Sequence, residues 1–446
     1  MSRRRSITRR VVLTAAISVF SAAARADSAG ALLYVPSDIY NYNGGQSIPA
    51  TPDREAAEEA FAAAKQAVAA GEVSRALQHA CRAVAFDPHH AGARRLLGYQ
   101  RVGDAWAGGY AQQMLKSGHQ WRPEFGWIKT AATAKWDAGL RPFGGGWISA
   151  EEDARRRQKI ERGWTVRTDH FLITTNIDRA AGVELAVRLE TLYQLWRQLF
   201  GEWAVSASDL QSRLEGKEAA GFLRRPFQVV YHRNRQQYND ALATRQPRIA
   251  MTLGIYFDAQ RESHFFAGPE QDPGTIAHET VHQFFYESTA RPTKRLAATG
   301  NAWAVEGVAC YFESLVDRSE AARRPGVRAF AIGAPDAGRL PAARHRRVVD
   351  GYYVPLAELS ALGVTDLQAR PDLARLYSQS AGLAAFFMDY RGGVYRKPFR
   401  ELLAAVYAGS DSPDKLASLT GRAYAELDRE YAEFMESLPV TAVIAP

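Results

Sequence analysis

Cysteine is scarce in this chain of 446 residues, which contains only Cys81 and Cys310. Two distant cysteines do not make a disulfide framework, so we expect both to be free, buried thiols. Beyond the N-terminal region, no apolar run reaches the length of roughly 18 residues that a membrane helix needs, so we expect no membrane span in the mature chain. With 46% hydrophobic and 23% charged residues, the composition excludes disorder, collagen and coiled coil as the main organisation.

A strong charge of one sign is absent from most of the chain. The formal net charge is +8, but six arginines lie within positions 1–26, where no acidic residue occurs, so positions 27–446 carry only +2. Proteins that bind nucleic acid depend on a surplus of positive charge. We therefore expect no nucleic-acid partner.

The N-terminal segment, positions 1–26, has the order of an export signal. A basic stretch (1–10) precedes a short apolar stretch (11–24), and Ala24-Arg25-Ala26 has the small-x-small pattern of a cleavage site. Thr8-Arg9-Arg10-Val11-Val12-Leu13 resembles a twin-arginine signal. A general secretory signal that happens to contain paired arginines is the alternative. By either route we expect an exported protein, periplasmic or extracellular.

Hydrophobic periodicity predicts an α+β chain. Residues 165–175 and 249–257 are each predicted as a strand, residues 179–200 as a long amphipathic helix, and residues 339–347 as a solvated loop. The predicted segments are a signal peptide (1–26), a linker (27–52), a helical segment (53–100), a Trp/Gly-rich segment with a connecting helix (101–162), a catalytic domain (163–340) and a C-terminal helical subdomain (341–446).

The helical segment, residues 53–100, resembles one tetratricopeptide unit. It reads Gly-Glu-x-x-x-Ala-Leu at residues 71–77 and then Ala-x-x-x-Asp-Pro at residues 83–88. A single unit is too little for a solenoid, so we expect it to dock on its neighbours. Binding of a protein partner through this segment is left open.

A weak repeat follows, in which Trp106, Trp127 and Trp147 recur at nearly equal spacing. Glycines surround these tryptophans, which predicts turns or short strands that pack each indole into a small core. A platform of exposed tryptophans for carbohydrate is the alternative.

The chemistry is concentrated in His278-Glu279-Thr280-Val281-His282, a His-Glu-x-x-His motif. Asp272-Pro273 predicts the start of a helix just before it. On a helix, residues i and i+4 share a face, so His278 and His282 can hold one Zn²⁺. Glu279 lies about 100° further round, where it can reach an attacking water. The remaining histidines do not cluster in the sequence.

A catalytic zinc site needs a third protein ligand, and Glu306 is our candidate. It follows His282 after a gap long enough for a turn and a return helix. A glutamate among apolar neighbours is costly to bury unless something compensates its charge. If Glu306 is not the ligand, Glu313 and Cys310 come next. A structural zinc site, with Cys310 as a fourth ligand, also remains open.

This pair of segments resembles the gluzincin branch of the zinc peptidases, which share His-Glu-x-x-His and a downstream Glu. The pattern Trp-x-x-Glu-Gly-x-x-x-Tyr-Phe-Glu at residues 303–313 further resembles an uncharacterised exported bacterial family, domain of unknown function fifteen-seventy, over residues 164–437. The resemblance implies a zincin-like catalytic domain, Zn²⁺ on His278, His282 and Glu306, and Glu279 as general base. Thermolysin-like members place an Asp four residues after the glutamate ligand to orient a histidine. Here that position is Cys310, so the orienting partner is unassigned.

The resemblance also implies a tyrosine that donates to the oxyanion, from a downstream helix. Tyr377 is our candidate; a buried anchor for the C-terminal helices is the alternative, and Tyr352 and Tyr353 are weaker candidates. We expect substrate backbone to lie along an edge strand near residues 253–256.

The expected function is that of an exported zinc metallopeptidase with a peptide or protein substrate. The alternative is a non-catalytic binding or scaffold protein whose zinc site is structural or vestigial.

Overall fold

The computed structural model describes residues 32–36, 51–217, 225–322, 324 and 327–440. The predicted signal peptide lies outside the described residues, as does most of the predicted linker. The chain is a mixed α and β protein, which confirms the α+β prediction. Within the described ranges, no helix has the length and apolarity needed to cross a membrane.

The N-terminal segment predicted as helical contains three helices and packs on the rest of the chain. It contains helices α1 (Arg54–Ala69), α2 (Val73–Phe86) and α3 (Ala91–Leu96). The Asp53 side chain caps α1 by accepting the Ala56 N–H at 3.1 Å. Buried alanines and leucines of these helices belong to the same hydrophobic cluster as the core of the predicted catalytic domain.

Part of the predicted linker is a strand. Residues Leu33–Val35 form β1, which pairs antiparallel with β14 (Arg328–Ala331). β14 also pairs with β13 (Val316–Asp317). The linker prediction is wrong for this short strand because Leu33 and Val35 are buried in the main core. Burial of their apolar side chains stabilises the strand despite the Pro- and Gly-rich residues around it.

Three β-hairpins explain the tryptophan repeat. Each of Trp106, Trp127 and Trp147 lies in the second strand of its hairpin, and none of them is exposed. This arrangement supports packing rather than a platform of exposed rings. The hairpin strands and their helices are β2 (Gln100–Val102), β3 (Ala105–Ala107), α4 (Gly109–Lys116), β4 (His119–Arg122), β5 (Gly126–Lys129), α5 (Thr133–Asp137), β6 (Leu140–Phe143), β7 (Gly146–Ser149) and α6 (Ala150–Arg156).

A five-stranded mixed sheet in the order β11-β12-β10-β9-β8 supports the candidate site. β10 is parallel to β9 and β12, whereas the outer strands β8 and β11 are antiparallel to their neighbours. The strands and the helices inserted among them are β8 (Trp164–Arg167), β9 (Phe171–Thr175), α7 (Arg179–Leu199), α8 (Ala207–Leu214), β10 (Phe227–His232), α9 (Arg235–Leu242), β11 (Ile255–Phe257) and β12 (Glu262–Phe266).

Two strand predictions need correction. Residues 165–175 form two strands, β8 and β9, because a tight turn closed by the Thr168 N–H and the Phe171 carbonyl interrupts them. In 249–257 only β11 is extended, since Ile249–Met251 is a 3₁₀ turn. The Thr252 hydroxyl closes that turn by donating to the Ile249 carbonyl at 2.9 Å.

From Leu340 onward the regular elements of the described chain are helices, and the arginine-rich stretch predicted as a loop belongs to them. Residues Leu340–Val348 form α12, in which Pro341 occupies the first turn and Leu340 and Ala343 are buried. The remaining helices of the described chain are α10 (Pro273–Ser288), α11 (Ala302–Phe312), α13 (Leu356–Ala361), α14 (Val364–Gln368), α15 (Leu373–Asp389), α16 (Arg396–Ala408), α17 (Lys415–Thr420) and α18 (Tyr424–Ser437).

Two histidines that the sequence separates meet in the sheet. His232 Nε2 in β10 lies 3.2 Å from His264 Nδ1 in β12, and both side chains are buried. The expectation that the remaining histidines do not cluster is therefore wrong for this pair. Burial, together with the neighbouring His264, lowers the pKa of His232 from 6.5 to about 3.

This pair predicts loss of stability in acid. Below pH 6.5 His232 is protonated in the unfolded chain, whereas in the folded chain it stays neutral until the pH falls to about 3. Acid therefore favours the unfolded state across that window. We expect the free energy of unfolding to fall less between pH 6.5 and 4 in His232→Gln than in the wild type. Denaturant titrations at each pH measure this, with the exposed His89→Gln as control. Equal pH slopes in wild type and His232→Gln would contradict it.

Candidate metal centre

The helix that carries the His-Glu-x-x-His motif begins as the sequence predicts. The Asp272 side chain accepts the Thr275 N–H at 3.0 Å, and Pro273 stands in the first turn of α10. Phe284 of α10 packs against Tyr193 and Trp196 of α7, with ring centroids 5.4 and 5.2 Å away. These contacts fix the rotation of α10, so that its histidines face α11.

The helix that carries Glu306 is held tightly against α15. Asn301, which precedes α11, donates through Nδ2 to Asp411 at 2.8 Å and to the Ser412 carbonyl at 2.9 Å. A Cβ atom on Gly307 would lie 2.6 Å from the Ser380 carbonyl oxygen, so only glycine allows this approach of the two helices. The close approach brings Glu306 and Tyr377 to the same place.

Three side chains form a triangle of possible metal ligands. His278 Nε2 lies 3.1 Å from His282 Nε2 and 3.3 Å from Glu306 Oε2, and His282 Nε2 lies 3.7 Å from the same oxygen. Ligands about 2.0–2.1 Å from a tetrahedral zinc ion stand roughly 3.3 Å from one another. The three groups therefore fit Zn²⁺ in both donor type and spacing.

The charges in the triangle are strongly coupled. Burial raises the pKa of Glu306, but hydrogen bonds with His278 and His282 outweigh it and hold the carboxyl well below its usual range. Burial lowers the pKa of His278, whereas contacts with Cys310, Glu306 and Glu313 hold it well above the ordinary value. A buried anion surrounded by basic nitrogens is an environment in which a cation replaces protons readily.

The partner that orients His278 is Glu313, which the sequence offered only as a substitute ligand. Its Oε1 lies 2.9 Å from His278 Nδ1, and its Oε2 accepts from Arg339 Nε at 2.7 Å. A carboxylate on the second nitrogen of a ligating histidine fixes the ring and raises its basicity. Glu313 follows Glu306 by seven residues, two helical turns, and so returns to the same face of α11.

Cys310 lies beside Nδ1 of the His278 ring and not beside Nε2, so it is not placed to be a fourth ligand of an ion held by the triangle. Its Sγ is 3.8 Å from His278 Nδ1, whereas Glu306 faces Nε2. Burial and the neighbouring Glu313 raise the pKa of the thiol to about 11, so it stays protonated. His278, Cys310 and Glu313 could form a second ligand group, but it would compete for the same histidine. Within the described residues both cysteines are free and buried, as predicted.

Glu279 is not one of the three possible ligands and is hydrogen-bonded to the edge of the sheet. Its Oε2 accepts the backbone N–H of Tyr256 in β11 at 3.0 Å. Gly254 makes room for it, since a Cβ atom there would lie 3.3 Å from Glu279 Cγ and 2.9 Å from the Phe265 ring. The edge strand near residues 253–256 therefore lies beside Glu279, as the sequence predicts.

Tyr377 also reaches the candidate centre. Its ring is nearly parallel to that of His278, with centroids 6.5 Å apart, and the Arg339 guanidinium stands 5.6 Å from its centre. Burial and the nearby Glu306 carboxylate raise the pKa of its hydroxyl well above the ordinary value. The rival tyrosines are bound elsewhere, Tyr352 to Asp372 at 2.9 Å and Tyr353 to Asp428 at 2.6 Å.

Comparison with known proteins identifies no family for this chain. No protein-family model matches the chain, and no curated protein matches it.

The role of Glu313 gives a prediction at this site. Glu313→Gln keeps the shape of the side chain but removes the charge that faces both His278 and Arg339. We expect the affinity for Zn²⁺ to fall about 10–100-fold. Competition with a chromophoric chelator measures it, and the exposed Glu320→Gln serves as control. An unchanged affinity would remove Glu313 from the orienting role.

Proposed function

We propose that this chain is an exported zinc metallopeptidase that hydrolyses peptide bonds. The observation that carries the proposal is the triangle of His278, His282 and Glu306, whose ligand atoms are 3.1–3.7 Å apart. Three protein ligands leave one position of a tetrahedral ion open, which is the arrangement of catalytic rather than structural zinc.

The finer architecture belongs to the same proposal. Strands β8–β12 with helices α10 and α11 would form a zincin-like catalytic domain, and α1–α3 would be a single tetratricopeptide-like unit docked on it. Export rests on the sequence pattern of positions 1–26, with the twin-arginine route favoured by Arg9 and Arg10.

Each side chain has a task in this mechanism. Zn²⁺, when bound, polarises the scissile carbonyl and makes water more acidic. Glu279 takes the proton of the attacking water and passes it to the leaving amine nitrogen. The Tyr377 hydroxyl keeps its proton because of its raised pKa, and it donates a hydrogen bond to the oxyanion. Glu313 and Arg339 hold His278 in place.

The open edge of the sheet suggests how a peptide lies in the site. β11 is the outermost strand on its side of the sheet and contacts the catalytic base through the Tyr256 N–H. An extended peptide can add to such an edge by backbone hydrogen bonds, which places its carbonyls at a fixed distance from the strand. We therefore favour peptide substrates over other acyl compounds.

Cleavage of a peptide library by the purified mature chain tests the function. We expect hydrolysis that a chelator abolishes and that added Zn²⁺ restores. The products, read by mass spectrometry, also show whether cleavage occurs at chain ends or internally. A chain that binds zinc but cleaves no peptide would overturn the proposal and favour the scaffold alternative.

A further inference from the structure

A row of three arginines, Arg339, Arg346 and Arg375, lies beside the proposed oxyanion donor. Arg339, directly before α12, stands 5.6 Å from the centre of the Tyr377 ring. Arg346, on α12, donates through Nη1 to the hydroxyl of Ser378, the residue that follows Tyr377. Arg375 belongs to α15 and is exposed two residues before Tyr377. The arginine row therefore borders the candidate metal centre on the side of this tyrosine.

Two charges of the arginine row have no carboxylate partner. Arg339 is paired, because its Nε donates to Glu313 at 2.7 Å. Arg346 donates through the same Nη1 to the Ala374 carbonyl at 2.8 Å, and both of its acceptors are neutral. Among the residues that the structure describes, neither Arg346 nor Arg375 forms an ion pair.

The carboxylates near the arginine row are bound to other groups. Asp372 accepts from Arg370 at 2.9 and 3.0 Å and from the Tyr352 hydroxyl at 2.9 Å. Asp350 lies 3.5 Å from His345 Nε2. These pairs leave the row as positive surface beside the cleft.

The positive charges of the arginine row also act on one another. Burial, and after it the charge of Arg375, lower the pKa of Arg346, and Arg339 acts in the same direction. Arginine does not lose its proton in proteins, so this repulsion persists at neutral pH. A carboxylate placed between the guanidinium groups would relieve the repulsion, and their planar fork suits it by paired hydrogen bonds.

We infer that the substrates are acidic peptides, in which a carboxylate close to the scissile bond pairs with Arg346 and Arg375. The inference rests on the proposed function, because the Tyr377 hydroxyl marks where the scissile carbonyl would lie. The ring of Tyr352, with its centre 5.4 Å from the Arg375 guanidinium carbon, supports that side chain at the rim. The carboxylate is an acidic side chain of the peptide or its C-terminus, since both present the same group.

The test uses the full mature chain and one peptide sequence from the library, made in four forms. A glutamate or a glutamine stands at the middle of the peptide, next to the scissile bond where the sequence is cleaved, and each version ends in a free carboxylate or an amide. Rates of cleavage are measured for all four. Binding of the same peptides to zinc-loaded Glu279→Gln, followed by calorimetry, gives a measurement that does not depend on hydrolysis.

Arg375→Gln and Arg346→Gln, each also combined with Glu279→Gln for the binding measurement, remove the two unpaired charges. The matched control is Arg54→Gln on α1, an exposed arginine that forms no ion pair among the described residues. Arg339 is left unchanged because it holds Glu313. Since Arg375 is exposed, its variant keeps the test decisive should Arg346→Gln fail to fold.

We expect the wild type to cleave and bind an acidic form about five-fold better or more than the form without a carboxylate, and this advantage should shrink as salt is added. Each of the two variants should reduce the advantage about 2–5-fold, while binding of the neutral form and the zinc content stay as in the wild type. Comparison of the free and amidated ends shows whether the side chain or the C-terminus supplies the carboxylate.

The outcomes separate this inference from the proposed function. Cleavage and binding that do not depend on peptide charge would overturn the inference and leave the proposed function standing. Acidic peptides that bind through the arginine row but are never cleaved would overturn the proposed function and leave the preference for acidic peptides. An acidic preference that survives in both arginine variants would place the carboxylate elsewhere and overturn the inference.

Discussion

Glu279→Gln should fold, keep its zinc and lose peptide hydrolysis by about 10²–10⁴-fold, the usual contribution of a general base. The carboxylate accepts a hydrogen bond from the Tyr256 N–H, and an amide oxygen of the same shape can accept it too. Glutamine therefore preserves the contact with β11 but cannot take a proton. Rates on a cleaved peptide and zinc content, both measured on the same preparations, show the two effects separately.

The matched control is Glu287→Gln, two turns further along α10. Glu287 Oε1 accepts from Gln283 Nε2 at 2.8 Å, and burial raises the pKa of its carboxyl to about 7, so a neutral side chain is tolerated there. We expect hydrolysis within a few-fold of the wild type. Equal hydrolysis by Glu279→Gln and the wild type would contradict the role of Glu279, even if the metal site is correct.

The sequence predicts helices of this fold better than its strands. Amphipathic periodicity places α1–α3 and α7 because each has one apolar face against the common core. The strand errors come from local hydrogen bonds. Thr168 and Thr252 close turns inside runs that otherwise look extended, and β1 is a strand only because β14 comes to it from the other end of the chain.

The triangle of possible metal ligands follows from the sequence because, on a helix, the spacing of residues decides the direction of their side chains. His278 and His282 share a face by the i, i+4 rule, and Glu306 follows after a gap long enough for a return helix. Its orienting partners could not be predicted in the same way. Glu313 lies three residues after position 310, where thermolysin-like members carry the orienting Asp. Arg339 belongs to an arginine-rich stretch of the kind that is typical of a solvated loop. Only the packing of α12 on α15 turns Arg339 toward the site.

The buried Arg197 of α7 illustrates the same limit. Arg197 lies on an ordinary amphipathic helix, and no motif distinguishes it from the exposed Arg188. What sets it apart is the contact of its Nη1 with the Leu97 carbonyl, one hundred residues earlier. A sequence pattern carries no information on such a distant pairing, so burial of a charge becomes visible only in the folded chain.

Glu306→Ala is expected to lose nearly all bound zinc, whereas the wild type holds about one ion per chain. The variant keeps His278 and His282 but has no anionic ligand. Two neutral imidazoles do not compensate the charge of a doubly charged ion in a buried site, so the ion is bound only weakly. Elemental analysis after dialysis measures the content. His278→Ala and His282→Ala should show the same loss.

Cys310→Ser distinguishes the proposed centre from the competing ligand group of His278, Cys310 and Glu313. The thiol faces His278 Nδ1 and not the Nε2 edge where Glu306 lies, so a serine there should leave the zinc content unchanged. If Cys310→Ser loses zinc while Glu306→Ala retains it, the ion is held by His278, Cys310 and Glu313. In that arrangement His282 and Glu306 would not be ligands, and Glu279 would no longer stand beside an ion able to activate water.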